Sequence, residues 1–438
     1  MKVYLDSIGC RLNQSEIEAY ARQFRMDGHT LVATPQEADL VVVNTCAVTQ
    51  SAVADSRQKI RQVHRAGEQP LAEHAPAQIV VTGCWSTLNP AEAATLPGVS
   101  RIIPNAQKDS LVADVLHKPV ELFEREFIER QPIPGLRLRT RAFIKVQDGC
   151  DNRCTFCVTT IARGPGRSRP IPAVLADVQA ALVGGAQEIV ITGVHLGSWG
   201  MDFTQPSGLK TLIQAILEES ATPRLRLSSL EPWDLSADFF ALWQDPRFDR
   251  RLCRHLHLPL QSGCAATLRR MARKTTPQSF QELVAAARTA IPDVAITTDI
   301  IVGFPGESET EFAHSLEFVK RMVFAGGHVF TYSARPGTAA ARMPGQVMHS
   351  QRKERNAQMQ ALLERSAAQF RQRFVGQELD VLWVNAAALG PQGWTLHGLT
   401  DNYLRVAAQA NQKLWNRVTT VRLEGVNAQG LYGRVHLL

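Results

Sequence analysis

The stretch that decides the fold is Arg141-Ala-Phe-Ile-Lys-Val-Gln-Asp-Gly-Cys150-Asp-Asn-Arg-Cys154-Thr-Phe-Cys157. A β-prone run, Ala142–Val146, leads directly into a loop carrying three cysteines within eight residues. A loop of that length can wrap one inorganic centre. Soft thiolate ligands select zinc or an iron–sulfur cluster. A structural zinc site needs a fourth ligand in tetrahedral geometry, and neither Cys nor His follows between Val158 and Val194. Three ligands therefore leave one coordination position open. In a four-iron cluster that position is an iron able to bind a small molecule and pass it an electron.

Outward from this loop, strand-like and helix-like runs alternate. Downstream strand candidates are Glu188–Val194, Arg224–Leu230, His255–Leu260, Ala295–Val302 and His328–Tyr332, separated by helical windows such as Pro172–Val183, Leu209–Glu219, Pro277–Ala290 and Glu309–Val323. With Ala142–Val146 they make six strand–helix units, which predicts a partial (β/α) barrel. Upstream, residues 1–120 alternate Val3–Leu5, Leu40–Val43 and Ile79–Val81 with helical stretches, the pattern of a parallel α/β domain. Between Val120 and Arg141 the apolar period is lost and Pro132, Pro134 and Gly135 mark a linker. At the other end Leu379–Val384, Tyr403–Ala407 and Val418–Leu423 predict a small β-barrel. The expected organisation is α/β: an N-terminal parallel domain (1–120), a central partial (β/α)6 barrel (136–366) and a C-terminal β-barrel (370–438).

Three further cysteines share one context. Val-Tyr-Leu-Asp-Ser-Ile-Gly-Cys10, Val-Val-Val-Asn-Thr-Cys46 and Val-Val-Thr-Gly-Cys84 each place a thiol just beyond a β-run. Carboxyl ends of parallel strands converge on one edge, the usual place for a ligand site, so these thiols could meet. Cys253 and Cys264 have no third partner and read as buried small apolar side chains.

The 438 residues are 45% hydrophobic and 20% charged, which excludes whole-chain disorder and fibrous classes. Apolar runs fall far short of the ~18 residues of a membrane helix. Met1-Lys-Val-Tyr-Leu-Asp6 forms no apolar signal region, so a cytoplasmic, membrane-free protein is expected. The net charge is +7, and residues 350–375 hold six basic against two acidic groups. A helix there with Leu362, Leu363, Phe370 and Phe374 inward would expose a basic flank: either a solvated face or a nucleic-acid contact. Nothing in composition fixes an oligomeric state.

The Cys-x3-Cys-x2-Cys loop at the start of a (β/α) barrel resembles the radical S-adenosylmethionine (SAM) enzymes. Ile8-Gly-Cys-Arg-Leu-Asn-Gln14, Val43-Asn-Thr-Cys-Ala-Val-Thr49, Ser56-Arg-Gln58, Pro259-Leu-Gln-Ser-Gly263, Asp299-Ile-Ile-Val-Gly-Phe-Pro-Gly-Glu307 and Tyr332-Ser-Ala-Arg-Pro-Gly-Thr338 resemble the methylthiotransferases of that group. The resemblance implies two 4Fe-4S clusters, one on Cys150, Cys154 and Cys157 with SAM at its open iron, the other on Cys10, Cys46 and Cys84. It implies SAM contacts from Gly184, Gly185 and Glu188; by position, Ser229 and Glu231 at the end of the third strand would suit ribose hydroxyls or cap that strand, and Gln261 and Gly303 end the fourth and fifth strands, where active-site residues of such barrels gather. Gly398-Leu-Thr-Asp-Asn-Tyr-Leu-Arg-Val406 resembles the RNA-binding TRAM barrel.

Gly193-Val-His195-Leu-Gly197 resembles the branch that methylthiolates N6-threonylcarbamoyladenosine at position 37 of tRNA, beside the anticodon. The alternatives are isopentenyladenosine in tRNA, a ribosomal protein, or a non-catalytic iron–sulfur protein that binds RNA or senses redox state. Two departures are visible: Val158 follows Cys157 where proline is common, and Trp199 stands where tyrosine is usual. An aromatic C–H bond yields to no side-chain acid or base, so a radical is required. The expected partners are a tRNA anticodon loop, whose splayed base can enter a barrel, and an electron donor such as flavodoxin or ferredoxin. Ala162-Arg-Gly-Pro-Gly-Arg-Ser-Arg169 could hold phosphates, and His195 could touch the threonylcarbamoyl group.

Overall fold

Leu40-Val-Val-Val-Asn-Thr45 is buried at every position. Unbroken β-branched burial is what a strand covered on both faces of a parallel sheet demands. In a computed structural model, which describes residues 1–68, 77–123, 130–134, 140–248, 250–390 and 393–436, this run is the centre of a five-stranded parallel sheet ordered β2-β1-β3-β4-β5. The strands are β1 (Lys2–Ser7), β2 (Thr30–Leu31), β3 (Leu40–Thr45), β4 (Gln78–Gly83) and β5 (Val99–Ile103), with helices α1 (Arg11–Met26), α2 (Gln50–Gly67), α3 (Cys84–Leu88), α4 (Pro90–Ala94) and α5 (Leu111–Leu116) between and after them. Apolar clusters lie on both faces, one with Ile17, Tyr20 and Phe24 of α1 and one with Ile60, Val63 and Trp85. The expected linker lies partly outside the described residues, at 124–129 and 135–139.

The chain divides into two compact units, Met1–Asn152 with Cys157–Gly185 and Thr192–Val194, and Arg153–Phe156 with Ala186–Ile191 and His195–Leu438. The first unit also contains β6 (Arg141–Lys145), β7 (Gln147–Asp148), α6 (Thr159–Arg163), β8 (Arg167–Ser168) and α7 (Ile171–Val183). The second is built around β9 (Glu188–Thr192), β10 (Leu225–Leu227), β11 (His255–His257), β12 (Ala295–Val302) and β13 (Gly326–Thr331), alternating with α8 (Leu209–Glu219), α9 (Ala265–Arg270), α10 (Pro277–Ala290) and α11 (Glu309–Met322). β9 pairs parallel with β10, and β11, β12 and β13 pair parallel in that order. Bridges Leu225↔Leu252 and Ser229↔His257 continue the parallel sense from β10 toward β11. All six strands expected of the partial barrel are present.

The long helix α12 (His349–Gln372) then leads into a closed barrel of β14 (Glu378–Gly390), β15 (Gly393–Thr400), β16 (Arg405–Ala410), β17 (Val418–Asn427) and β18 (Gly430–Val435), ordered β14-β15-β16-β18-β17. Phe370 and Phe374 share its core with Trp383, Leu396 and Leu423. The barrel loop is bolted to the sheet of the second unit. Arg226, fully buried, donates Nη1 to Asp401 O at 2.8 Å and Nη2 to Thr400 O at 3.1 Å, and stacks 4.9 Å over Tyr403. Arg254 grips both carboxylate oxygens of Asp401. Among the described residues no helix is long and apolar enough to cross a membrane.

Candidate functional site

In the first unit the ends of three adjacent strands carry the N-terminal thiols. Cys10 follows β1 and opens α1, Cys46 follows β3, and Cys84 follows β4 and opens α3. Glycine makes this convergence possible. Gly9 has φ +105°, and a Cβ there would lie 2.6 Å from Cys46 Sγ; Gly83 has φ +103°, and its Cβ would lie 2.2 Å from Thr45 O. Cys46 and Cys84 are buried, Cys10 is exposed. Burial pushes the Cys46 thiol up to about 11, with the charges of Cys10 and Cys84 acting in the same sense. The three thiols thus sit at the ends of neighbouring strands on one sheet edge.

Behind them sits a buried charge cluster. Arg163, at the end of α6, donates Nε to Cys84 Sγ at 3.3 Å, Nη1 to Asp148 Oδ1 at 2.8 Å and Glu16 Oε1 at 3.2 Å, and Nη2 to Asn13 Oδ1 at 3.0 Å. Glu16 is also paired with Lys108 at 2.6 Å and receives Asn44 Nδ2 at 2.9 Å. Burial alone would raise the Glu16 carboxyl, but Lys108, Arg163 and Lys145 outweigh it and hold it at about 2. Asn105 places Nδ2 3.6 Å from Cys84 Sγ. Sequence reasoning missed Glu16, Asn105 and Lys108, because buried polar residues on helices carry no periodic mark. It had offered the 162–169 stretch to phosphates; the structure instead buries Arg163 and pairs Arg169 with Asp177 at 2.6 Å.

The second cysteine loop begins at Gly149, with φ +70° and no room for a Cβ, which would meet Pro165 O at 1.8 Å. Cys150 N donates to Gly164 O, and Asn152 N lies 3.4 Å from Cys150 Sγ. Cys157 Sγ has Thr160 Oγ1 at 4.0 Å. Cys154, in the second unit, receives Arg273 Nη1 at 3.7 Å. Arg273, missed from sequence, also binds both oxygens of Glu231 (3.1 and 2.5 Å), donates to Pro259 O and lies 4.4 Å over Trp233.

Ser229, Glu231, Gln261 and Gly303 lie beyond the carboxyl ends of β10, β11 and β12, the edge where such sheets bind ligands. Gln261 and Gly303 both adopt positive φ, +70° and +69°. Gly184, Gly185 and Glu188 require a correction. They lie at the amino end of β9, the opposite edge. A Cβ on Gly184 would collide with Arg130 O at 2.4 Å, and the wholly buried Glu188 spends both oxygens on Arg226, at 2.8 and 2.9 Å. A glycine pair before a strand and one after it look alike in sequence; strand polarity separates them. His195, beyond β9, is buried and lies 2.6 Å from Asp234 Oδ2. Cys253 and Cys264 are buried, Cys253 with its thiol 3.9 Å from Glu188 Oε2 rather than among apolar groups alone.

Residues 2–103 match Uncharacterized protein family UPF0004, and residues 144–319 match the Radical SAM superfamily. Over 430 residues the chain is 32% identical to the threonylcarbamoyladenosine tRNA methylthiotransferase MtaB of Bacillus subtilis, covering 96% of this chain and 93% of that one. It belongs to the radical SAM methylthiotransferases. A second member of that family, the tRNA-2-methylthio-N(6)-dimethylallyladenosine synthase of Acidothermus cellulolyticus, is 33% identical over 385 residues, covering 86% and 76%. Among solved structures, the radical SAM methyltransferase TsrM of Kitasatospora setae shares the fold, with TM-score 0.59, 13% identity and coverage of 78% and 75%.

Membership in the radical SAM methylthiotransferases implies a 4Fe-4S cluster and SAM. The cysteine donors of the two loops suit sulfur-ligated iron. Among the described residues no group of three His, Cys, Asp or Glu is gathered to hold a single ion, whereas a four-iron core spreads its thiolates more widely than one ion's shell. Backbone and guanidinium N–H groups aimed at cysteine sulfur are the outer partners such clusters use.

Proposed function

We propose that this chain installs the 2-methylthio group on N6-threonylcarbamoyladenosine at position 37 of tRNA. The observation that carries the reading is the gathering of Cys10, Cys46 and Cys84 at adjacent strand ends, beside a buried Arg163, in a chain related at 32% identity to a named threonylcarbamoyladenosine tRNA methylthiotransferase. In this reading residues 1–120 form the sulfur-donating domain, 136–366 the radical SAM core and 370–438 the RNA-binding barrel, and the protein works in the cytoplasm.

Cys150, Cys154 and Cys157 would hold one 4Fe-4S cluster, and Cys10, Cys46 and Cys84 a second. With SAM, these supply the one-electron and sulfur-transfer chemistry that an aromatic C–H bond requires. The chain's own residues do the rest. Ser229, Glu231 and Gln261 at the carboxyl edge of the second unit would supply hydroxyl, carboxylate and amide groups for a polar cofactor, with Gly303 at the same edge giving its own N–H to Glu307 Oε2 at 2.6 Å. Arg273 fixes the Glu231 carboxylate by two donors while contacting Cys154, so Cys154 and that edge share one support within the second unit. His195, oriented by Asp234, presents a buried imidazole beyond β9 suited to a carbamoyl group. The exposed Lys353, Arg365 and Arg373 of the 350–375 segment and the C-terminal barrel suit an anticodon stem-loop, whereas Arg355 is buried against Glu307 and Glu309. Flavodoxin or ferredoxin would deliver the electron.

Two measurements test this. In a deletion strain, mass spectrometry of tRNA should show loss of the methylthio group from threonylcarbamoyladenosine; loss from isopentenyladenosine, or from a ribosomal protein, would overturn the substrate. After anaerobic reconstitution, Cys150→Ala should abolish SAM cleavage, while Cys10→Ala should retain cleavage and lose thiolation. Absence of SAM cleavage in the wild-type chain would favour a non-catalytic protein.

A further inference from the structure

Arg163 raises a question that ligand placement alone leaves open. Its guanidinium is almost completely buried, at 2% exposure. Three of its donor contacts go to anionic or amide oxygen: Asp148, Glu16 and Asn13 hold both Nη atoms. The remaining directed donor, Nε, is aimed at sulfur, Cys84 Sγ, at 3.3 Å. A neutral thiol is a weak acceptor. A buried charged N–H aimed at one is poorly satisfied, whereas a thiolate is a full anionic partner.

The arrangement is asymmetric. Asn105 directs Nδ2 at the same sulfur and is itself held by Lys108 Nζ on its Oδ1 at 2.9 Å, with Nδ2 also shared to Ala162 O at 2.8 Å. The side-chain amide beside Cys10 turns its oxygen to the thiol instead: Asn13 commits Nδ2 to Ile8 O and Thr45 O, leaving Oδ1 toward Cys10 Sγ at 3.7 Å. Both side-chain N–H donors thus converge on Cys84, while Cys10 and Cys46 receive backbone N–H from Asn13 and Val48. Arg163 is also where the second cysteine loop is clamped, since Asp148 precedes Cys150 by two residues and Arg163 follows Cys157 by six.

We propose that Arg163, assisted by Asn105, is a positioning residue that sets the redox potential of the iron–sulfur centre on Cys10, Cys46 and Cys84 by donating hydrogen bonds to Cys84 alone of the three. This rests on the reading that those thiols hold a cluster. The direction follows from charge. Reduction adds an electron to the centre, a fixed cation and N–H donors at a ligand sulfur favour the added charge, and the potential is raised. Because guanidinium does not lose its proton in proteins, the effect is constant across working pH.

The test uses the full chain with Cys150, Cys154 and Cys157→Ala, in which only the N-terminal triad can load iron. It is reconstituted anaerobically and titrated with dithionite while the reduced cluster is followed by electron paramagnetic resonance. With native Arg163, failure to bind iron would refute the two-cluster reading itself. Arg163→Lys keeps a cation for Glu16 and Asp148 but cannot also reproduce the Nε contact. The reduced-to-oxidised ratio at a fixed potential should fall about tenfold, which is 59 mV for one electron, with altered g-values. Asn105→Ala leaves every Arg163 pair in place and should shift the ratio the same way by about threefold, the scale of one neutral hydrogen bond. It carries the measurement if Arg163→Lys does not load. A loaded variant with unchanged potential and spectrum overturns the proposal, because a purely structural guanidinium would move stability and not the potential.

Discussion

Glu188→Gln separates an architectural carboxylate from a cofactor-binding one. In the folded chain Glu188 and Arg226 are both wholly buried and share two hydrogen bonds of 2.8 and 2.9 Å. Glutamine keeps the shape but removes the charge and turns an amide N–H₂ toward the guanidinium. Breaking a buried pair from one side costs about 3–5 kcal/mol, since the remaining charge is stranded without solvent. Arg226 also holds the Thr400 and Asp401 carbonyls of the barrel loop, so loosening spreads there and the upper part of that range is expected. The double variant Glu188→Leu with Arg226→Met should cost less than Glu188→Gln, because the closely paired guanidinium leaves with the carboxylate and only the looser Arg224 contact, 3.6 Å from Glu188, is lost. SAM affinity should change less than about twofold in Glu188→Gln, since the carboxylate sits at the amino end of β9. A carboxylate that bound the SAM amino group would be worth about 1.5–3 kcal/mol, or roughly 10- to 150-fold in affinity. The assays are the first denaturant transition of the metal-free chain and calorimetric SAM binding to the reconstituted one. Unaltered stability with SAM binding weakened tenfold or more would refute the assignment.

Three further outcomes follow from the same geometry. Gly83→Ala should drop iron from about eight to about four atoms per chain after reconstitution, because its Cβ would collide with the Thr45 backbone and displace Cys84; undiminished iron would contradict the role given to that turn. Glu16, held at about 2 against about 4.3 when unfolded, should contribute about 3 kcal/mol that is fully present above pH 4.3 and lost as pH falls toward 2; denaturant midpoints between pH 5 and pH 2.5 should show this slope flattened in Glu16→Gln. In the metal-free chain iodoacetamide should label exposed Cys10 before Cys46. With its thiol pushed up to about 11, Cys46 should react about a hundredfold slower at pH 8 than an unperturbed cysteine; burial also raises the Cys10 thiol, so its lead rests on surface access, and peptide mass spectrometry with Cys46 labelled as fast as a free cysteine would refute the burial argument.

Local pattern by itself determined most of the architecture and the six candidate ligands. Val41–Val43, Ile189–Ile191 and Ile296 with Ile300–Val302 are recognisable as strands because fully or half-buried β-branched runs have one low-energy use, and the Cys150 loop is legible because its spacing is local. The placement of Cys10, Cys46 and Cys84 at neighbouring strand ends was inferable too, since parallel strands must end on one edge, while their reading as one ligand set came from the family resemblance. What only the tertiary structure decided is the pairing of buried charge. Nothing in the neighbourhood of Arg163 says that it contacts Cys84, 79 positions earlier, or that Glu188 belongs to Arg226 rather than to a ligand. A charged side chain is buried only where a partner of opposite sign already waits, and that partner is chosen by the packing of distant elements, not by spacing along the chain.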